Sequence, residues 1–309
     1  MPRLSVVTGI ALVEARRFLA KKSTLFVLAL FVLPVLVAAA LKHYVSVPHS
    51  PRFWVLLAGI DVSPELQGVT GSSLAVGLAG LAAWWWLVVS LYGGDLFASD
   101  RASGLTRLVL SRPVTRLEYV LGKLLALLAF LALAGIIGLY SIYAASWILA
   151  GRQAEPLWPL VTGLLLAVGS VPLAALSALM GFRSSKPLVG IISGIGIYFV
   201  ASMIISFGSF LIIMAHGGSL EETALRLATL IPLDAGKSLA EIVYSYHAHG
   251  PVVHLVQTGH EEVRIAGRTI ALSTTVNLGS LIPLLLVSLP AWIIATVILL
   301  YKIVDRADL

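Results

Sequence analysis

The chain has 309 residues, 59% of them hydrophobic and only 12% charged, with a mean hydropathy of +0.97. Soluble domains carry about 25% charged residues, so the apolar residues here exceed what one compact core buries, and a bilayer must cover the rest. The absence of cysteine excludes a disulfide framework, thiolate catalysis and Cys-ligated zinc or iron–sulfur sites.

In the first 23 residues Leu4, Val7, Ile10, Leu12, Val13 and Phe18 recur near helical spacing. Glu14, Arg16, Arg17, Lys21 and Lys22 gather toward the apolar run that follows. This pattern predicts an interfacial helix lying on the lipid bilayer; the alternative is a disordered basic tail. Residues 24–41 form the first predicted span. Ala38-Ala39-Ala40 could pass for a signal-peptide cleavage site, but the apolar stretch and the segment before it are both too long for one.

Five more runs are long enough to cross about 30 Å of hydrocarbon: 71–93, 124–150, 157–181, 188–214 and 280–302. None has a charged residue in its interior, so no intramembrane ion or proton relay is legible. The reading is an all-α polytopic membrane protein with six transmembrane helices. Its parts are an interfacial helix (1–23), spans one to five (24–214) with a cytoplasmic segment at 94–123, an extracellular cap (215–279), and the last span with a cytoplasmic tail (280–309).

Orientation follows from Lys and Arg in the connections. Arg3, Arg16, Arg17, Lys21, Lys22, Arg101, Arg107, Arg112, Arg116, Lys123, Arg183, Lys186, Lys302 and Arg306 fall on one set of ends, fourteen against the seven elsewhere. Both termini are therefore expected in the cytoplasm of a cell-membrane protein. Topology explains the net charge of +6 without nucleic acid.

Between the second and third spans, Ser99 or Asp100 can cap a short helix over 100–109, with Leu105, Leu108 and Val109 as its apolar face and Pro113 as its stop. Arg107, Arg112 and Arg116 then face either lipid phosphates or a partner protein, and positive-inside anchoring alone would account for their charge. Glycines 190 and 194 predict close helix packing. Of Trp84, Trp85 and Trp86, at least one should pack on a neighbour or line a lateral cavity.

In the outer segment, Ser219 and Glu222 have capping-box spacing for a helix that runs through 223–230 to Pro232. A second helix follows toward Tyr246, and Val263, Ile265, Thr269 and Ile270 flank Ala266-Gly267 as a hairpin. Gly236-Lys237-Ser238 looks like the end of a phosphate-binding loop, but Ile231 stands where the first glycine is needed. The chain is thus expected not to be an enzyme and to hold no cofactor, and any ATP must be hydrolysed by a different chain. His247, His249, His254 and His260 could offer imidazoles to a metal, but their spacing fits no closed template, and solvated loop histidines are the better reading.

One further pattern runs through the cytoplasmic segment: Asp100-Arg101-Ala-Ser-Gly104, then Leu110-Ser111-Arg112-Pro113-Val114-Thr115-Arg116, then Gly122-Lys123 opening a long apolar helix. It resembles the region between the second and third spans of ABC-2 type permeases, the membrane subunits of ATP-binding cassette transporters. The basic start with Glu14, Arg16, Arg17 and Lys21 is similar to that family's elbow helix, and Ile231-Pro232-Leu233-Asp234 to its Pro-containing motif before the last span. Leu105-Thr106 departs from the family pattern, as does the long outer segment.

The resemblance implies an exporter working as a homo- or heterodimer of six-span subunits driven by separate ATPases. Asp100, Arg101, Gly104, Leu105, Leu108, Arg112, Pro113 and Arg116 would form the coupling helix, a lever seated in the ATPase. The rival readings are a non-transporting membrane anchor or assembly factor and, less well supported because no span carries a polar ring, an ion channel. The apolar lining favours an amphipathic or lipid-linked substrate over a small ion.

Overall fold

The computed structural model describes residues 2–44, 84–111, 113–150, 156–216, 220–234, 236–240, 242–243, 252–255, 262–265, 268–271 and 274–306. The helices are α1 (Leu4–Ala20), α2 (Lys22–Tyr44), α3 (described over 84–95), α4 (Ala98–Ala102), α5 (Leu105–Leu110), α6 (Arg116–Ala150), α7 (Trp158–Gly169), α8 (Val171–Ser184), α9 (Pro187–His216), α10 (Leu220–Leu230) and α11 (Leu278–Arg306). Four short strands lie between the last two: β1 (Val252–Leu255), β2 (Glu262–Ile265), β3 (Arg268–Ala271) and β4 (Thr274–Asn277).

The helices make this a membrane protein. Among the described residues α6, α9 and α11 each contain a stretch long and apolar enough to cross a bilayer, and α7 with α8 adds a fourth if the bent pair is one span. Most of the run 71–93 lies outside the described residues; its end is helical in α3.

The central element is α6. A capping box starts it: the Glu118 N–H donates to Thr115 Oγ1 (3.2 Å) and the Thr115 N–H to Glu118 Oε2 (2.8 Å). Its 35 residues extend about 52 Å, more than the hydrocarbon core is thick. Helices α1, α2, α7 and α11 pack around it. Tyr119, Leu127, Phe130 and Leu131 of α6 join Phe18, Trp85, Tyr92, Phe97 and Phe182 in the main core. Of the most apolar stretch of α6, 56% is buried, against 17% in α9 and 22% in α11, which present most of their apolar surface outward.

The predicted span 157–181 is not continuous. It divides at Ser170 into α7 and α8, whose axes bend by 41°. Pro172, in the first turn of α8, has no N–H for the Val168 carbonyl, which breaks the ladder there. Ser170 Oγ receives the Trp85 Nε1–H (2.8 Å) and donates to the Leu166 carbonyl (2.6 Å), which ties the break to α3. Trp86 stacks on Tyr198 (5.2 Å between ring centres), while Trp84 is exposed.

Three glycines let α3, α8 and α9 touch backbone to backbone. A Cβ on Gly181 would lie 2.2 Å from the Gly94 carbonyl oxygen, and one on Gly190 would lie 2.7 Å from Gly94 Cα and 2.8 Å from Gly181 Cα. The glycines at 190 and 194 thus serve internal packing, as their spacing predicts.

In the outer segment α10 ends before Pro232 as read from the sequence; Ser219 lies outside the described residues. The hairpin forms as β2–β3, pairing Val263 with Ile270 and Arg264 with Thr269, and β1 pairs antiparallel with β4 around it. The start of this segment leans on the helices that flank it. Helix α10 packs on α9 and α11, its Thr229 carbonyl accepts from Ser288, and its Leu230 carbonyl accepts from Trp292 Nε1 (2.9 Å). Trp292 lies about 20 Å along α11 from that helix's start, so Thr229 and Leu230 lie beside the middle of α11, and Gly236 closes against Gly169 at the α7–α8 break.

Candidate functional site

The chemistry of the molecule concentrates where α1, α4 and the start of α6 meet. The sequence assigns Glu14, Arg17 and Lys21 to an interfacial helix and Asp100 to a docking lever. In the structure these side chains turn toward one another. Asp100 is fully buried and accepts hydrogen bonds from Arg17, from the Tyr119 hydroxyl (2.9 Å) and from Lys123 Nζ (2.6 Å). Lys123, equally buried, also reaches Glu14 (3.4 Å) and the Leu96 carbonyl. Arg17 adds a bond to Ser99 Oγ (3.1 Å), and Lys21 pairs with Asp95. The aromatic faces of Phe97 and Tyr119 lie 5.4 and 5.5 Å from the Lys123 ammonium.

The cluster is balanced, and balance is what makes it tolerable. Removing one member of a buried ionic set leaves an uncompensated charge at a cost of about 3–5 kcal/mol. Burial alone would raise the Asp100 carboxyl, but Lys123 and Arg17 outweigh it and hold that carboxyl below the usual carboxylate range.

A second tie lies further along α1. Arg3 pairs with Glu118 (3.1 Å), donates its backbone N–H to the same carboxylate (2.7 Å) and reaches the Pro113 carbonyl. Helix α1 therefore grips the segment 95–116 at both ends. Gly122 of α6 makes room for it, since a Cβ there would lie 2.7 Å from Ile10.

The predicted single helix over 100–109 is corrected to two. Gly104 adopts φ 75°, which ends α4 and lets α5 start in a new direction. Nothing lies within 4 Å of a Cβ built there, so within this chain the glycine is required by its conformation, not by close approach. Phe97, not Ser99 or Asp100, occupies the cap position of α4. Arg101 donates to the Phe182 carbonyl near the end of α8 (2.7 Å) and stacks over the Phe182 ring (4.7 Å). Arg116 reaches Asp305 (3.5 Å) and the Val304 carbonyl (3.4 Å) at the end of α11.

The tip of the segment, α5, buries Thr106 and exposes Leu105, Arg107 and Leu108, the last at 66%. Pro113 is exposed beside it, and Arg112 lies outside the described residues. The residues that the resemblance assigns to docking thus separate into Asp100, Arg101 and Arg116, which hold the segment in place, and Leu105 and Leu108, which are exposed.

The other candidates resolve differently. Ser238 gives both its N–H (2.7 Å) and its hydroxyl to the Asp234 carboxylate, so the Gly-Lys-Ser stretch is closed on an acid and is no phosphate cradle. His254 lies on β1 opposite Thr275, while His247, His249 and His260 are outside the described residues. Among the described residues no three metal-ligating side chains converge. Sequence reasoning missed the charge cluster because a topology count uses only Lys and Arg; the signal lay in the acids, since Glu14, Asp95, Asp100 and Glu118 match Arg3, Arg17, Lys21 and Lys123 one for one.

No protein-family model and no curated protein sequence matches the chain.

Proposed function

We propose that the chain is the membrane-spanning subunit of an ATP-binding cassette transporter of the ABC-2 permease type. In this reading six spans, one each through α2, α3, α6, α7–α8, α9 and α11, form one half of a dimeric exporter whose ATP and Mg2+ are bound by separate ATPase subunits. The observation that carries the reading is the build of the segment 95–116. A loop that only anchored topology would need cations at its ends. This one is instead fastened by Arg17, Lys21, Arg101 and Lys123 to three helices, and it carries at its tip a short helix with Leu105 and Leu108 exposed. A rigidly held apolar tip beside an exposed Arg107 is what transmission of force from a partner requires. The motif order 100–123 points to the same family.

The test uses two side chains that are exposed at the tip of the segment. Leu108→Glu and Arg107→Glu should leave expression and membrane insertion unchanged and abolish co-purification of the ATPase or its transport-coupled hydrolysis, because like charges or an unpaired carboxylate across a buried interface cost several kcal/mol. Retention of full association and coupling by both variants would make the membrane anchor the better reading.

A further inference from the structure

The cations of α1 and the first residue of α2 divide into two sets. Arg3, Arg17 and Lys21 are paired, with Glu118, Asp100 and Asp95 respectively. Arg16 and Lys22 are exposed, and neither side chain has a partner among the described residues. Arg16 follows Leu12 by four residues and precedes Leu19 by three, so on the helix surface it lies between them. Leu12, Val13 and Leu19 are themselves 47–67% exposed.

The level of this face is fixed by its neighbours. One extended residue, Lys21, joins α1 to the apolar α2, and the opposite side of α1 rests on α6 at Gly122, one residue before Lys123. The exposed apolar side chains continue into Leu25 and Phe26 at the start of α2. A surface with apolar side chains set among exposed cations, at the junction with an apolar helix, matches the boundary between acyl chains and negatively charged headgroups.

We propose that the outer face of α1 and the α1–α2 elbow form an anionic-phospholipid site, with Leu12, Val13 and Leu19 in the acyl region and Arg16 and Lys22 on headgroup phosphates. The inference is independent of the ATPase-docking reading. Each cation close to an anionic surface favours it by about fivefold, so the pair should enrich anionic lipid by about twenty-five-fold.

Photocrosslinking tests it on the full chain. With benzoylphenylalanine in place of Leu12, the protein is placed in nanodiscs of phosphatidylcholine and phosphatidylglycerol and the crosslinked lipid is identified by mass spectrometry. The expected result is strong enrichment of phosphatidylglycerol over its bulk share, reduced to near parity in Arg16→Gln with Lys22→Gln. Enrichment that persists in this double variant, or crosslinking of protein in place of lipid at position 12, overturns the proposal. Should the double variant fail to fold, added salt on the otherwise unaltered protein gives the same discrimination: enrichment must collapse as headgroup charge is screened, and a salt-insensitive pattern refutes the site.

Discussion

At Asp100 a carboxylate that reads as an exposed helix start is in fact the acceptor for three side chains inside the protein. Its pairing with Lys123 and Arg17 favours the ionised form in the fold more than in the unfolded chain. The stabilisation this provides is fully present above the ordinary carboxylate pKa of about 3.9 and is lost as pH falls through the lower folded value. The Tm of the detergent-solubilised protein should therefore stay level from about pH 8 to pH 5 and drop below about pH 4. Asp100→Asn should lower the Tm at neutral pH and flatten that acid drop. A drop of unchanged depth in Asp100→Asn would place the responsible titration on another carboxylate.

Elements were legible where one residue's local chemistry decides the outcome. Pro232 follows the end of α10, and Ala266-Gly267 separates the paired strands β2 and β3, whereas α6 starts at Thr115 and Glu118 and not at the Gly122-Lys123 read as its opening. They were illegible where two distant stretches must be compared. Nothing in residues 157–181 announces that Trp85 and Gly236 meet them at Ser170, and apolarity alone made Pro172 look like a passenger in one span. Likewise the left-handed turn at Gly104 splits a stretch whose periodicity suits one helix. The glycine contacts give the element scale its test. Gly181→Ala puts a methyl group 2.2 Å from the Gly94 carbonyl, a backbone atom that yields only if α3 and α8 separate, so it should cost about 1–3 kcal/mol or more. Gly9→Ala on α1 meets nothing within 4 Å and should gain about 0.5–1 kcal/mol from helix propensity. Chemical denaturation of the two variants compares them directly; equal stabilities would show that the three-helix contact is looser than its geometry.

For the whole molecule, the hydrogen bonds gather one end. Arg3 reaches Pro113 and Glu118, Arg101 reaches the end of α8 at Phe182, and Arg116 reaches the end of α11 at Val304 and Asp305. The N-terminal helix, the segment 95–116, the α8–α9 turn with Arg183 and Lys186, and the tail with Lys302 and Arg306 therefore share one side. That is the grouping a positive-inside count made from sequence alone, and it follows here from contacts that use no charge rule. Which side faces the cytoplasm is the remaining step, and the positive-inside rule makes this one the expected side. The cysteine-free chain permits a direct check. Ser111 is exposed just after α5, and His254 lies on β1 in the connection between α10 and α11. With single substitutions Ser111→Cys and His254→Cys, a membrane-impermeant maleimide applied to intact cells should label position 254 and spare 111 until the membrane is opened. The reverse pattern would invert the topology, put the exposed Leu105 and Leu108 on the side where no cytoplasmic ATPase can reach them, and remove the docking proposal with it.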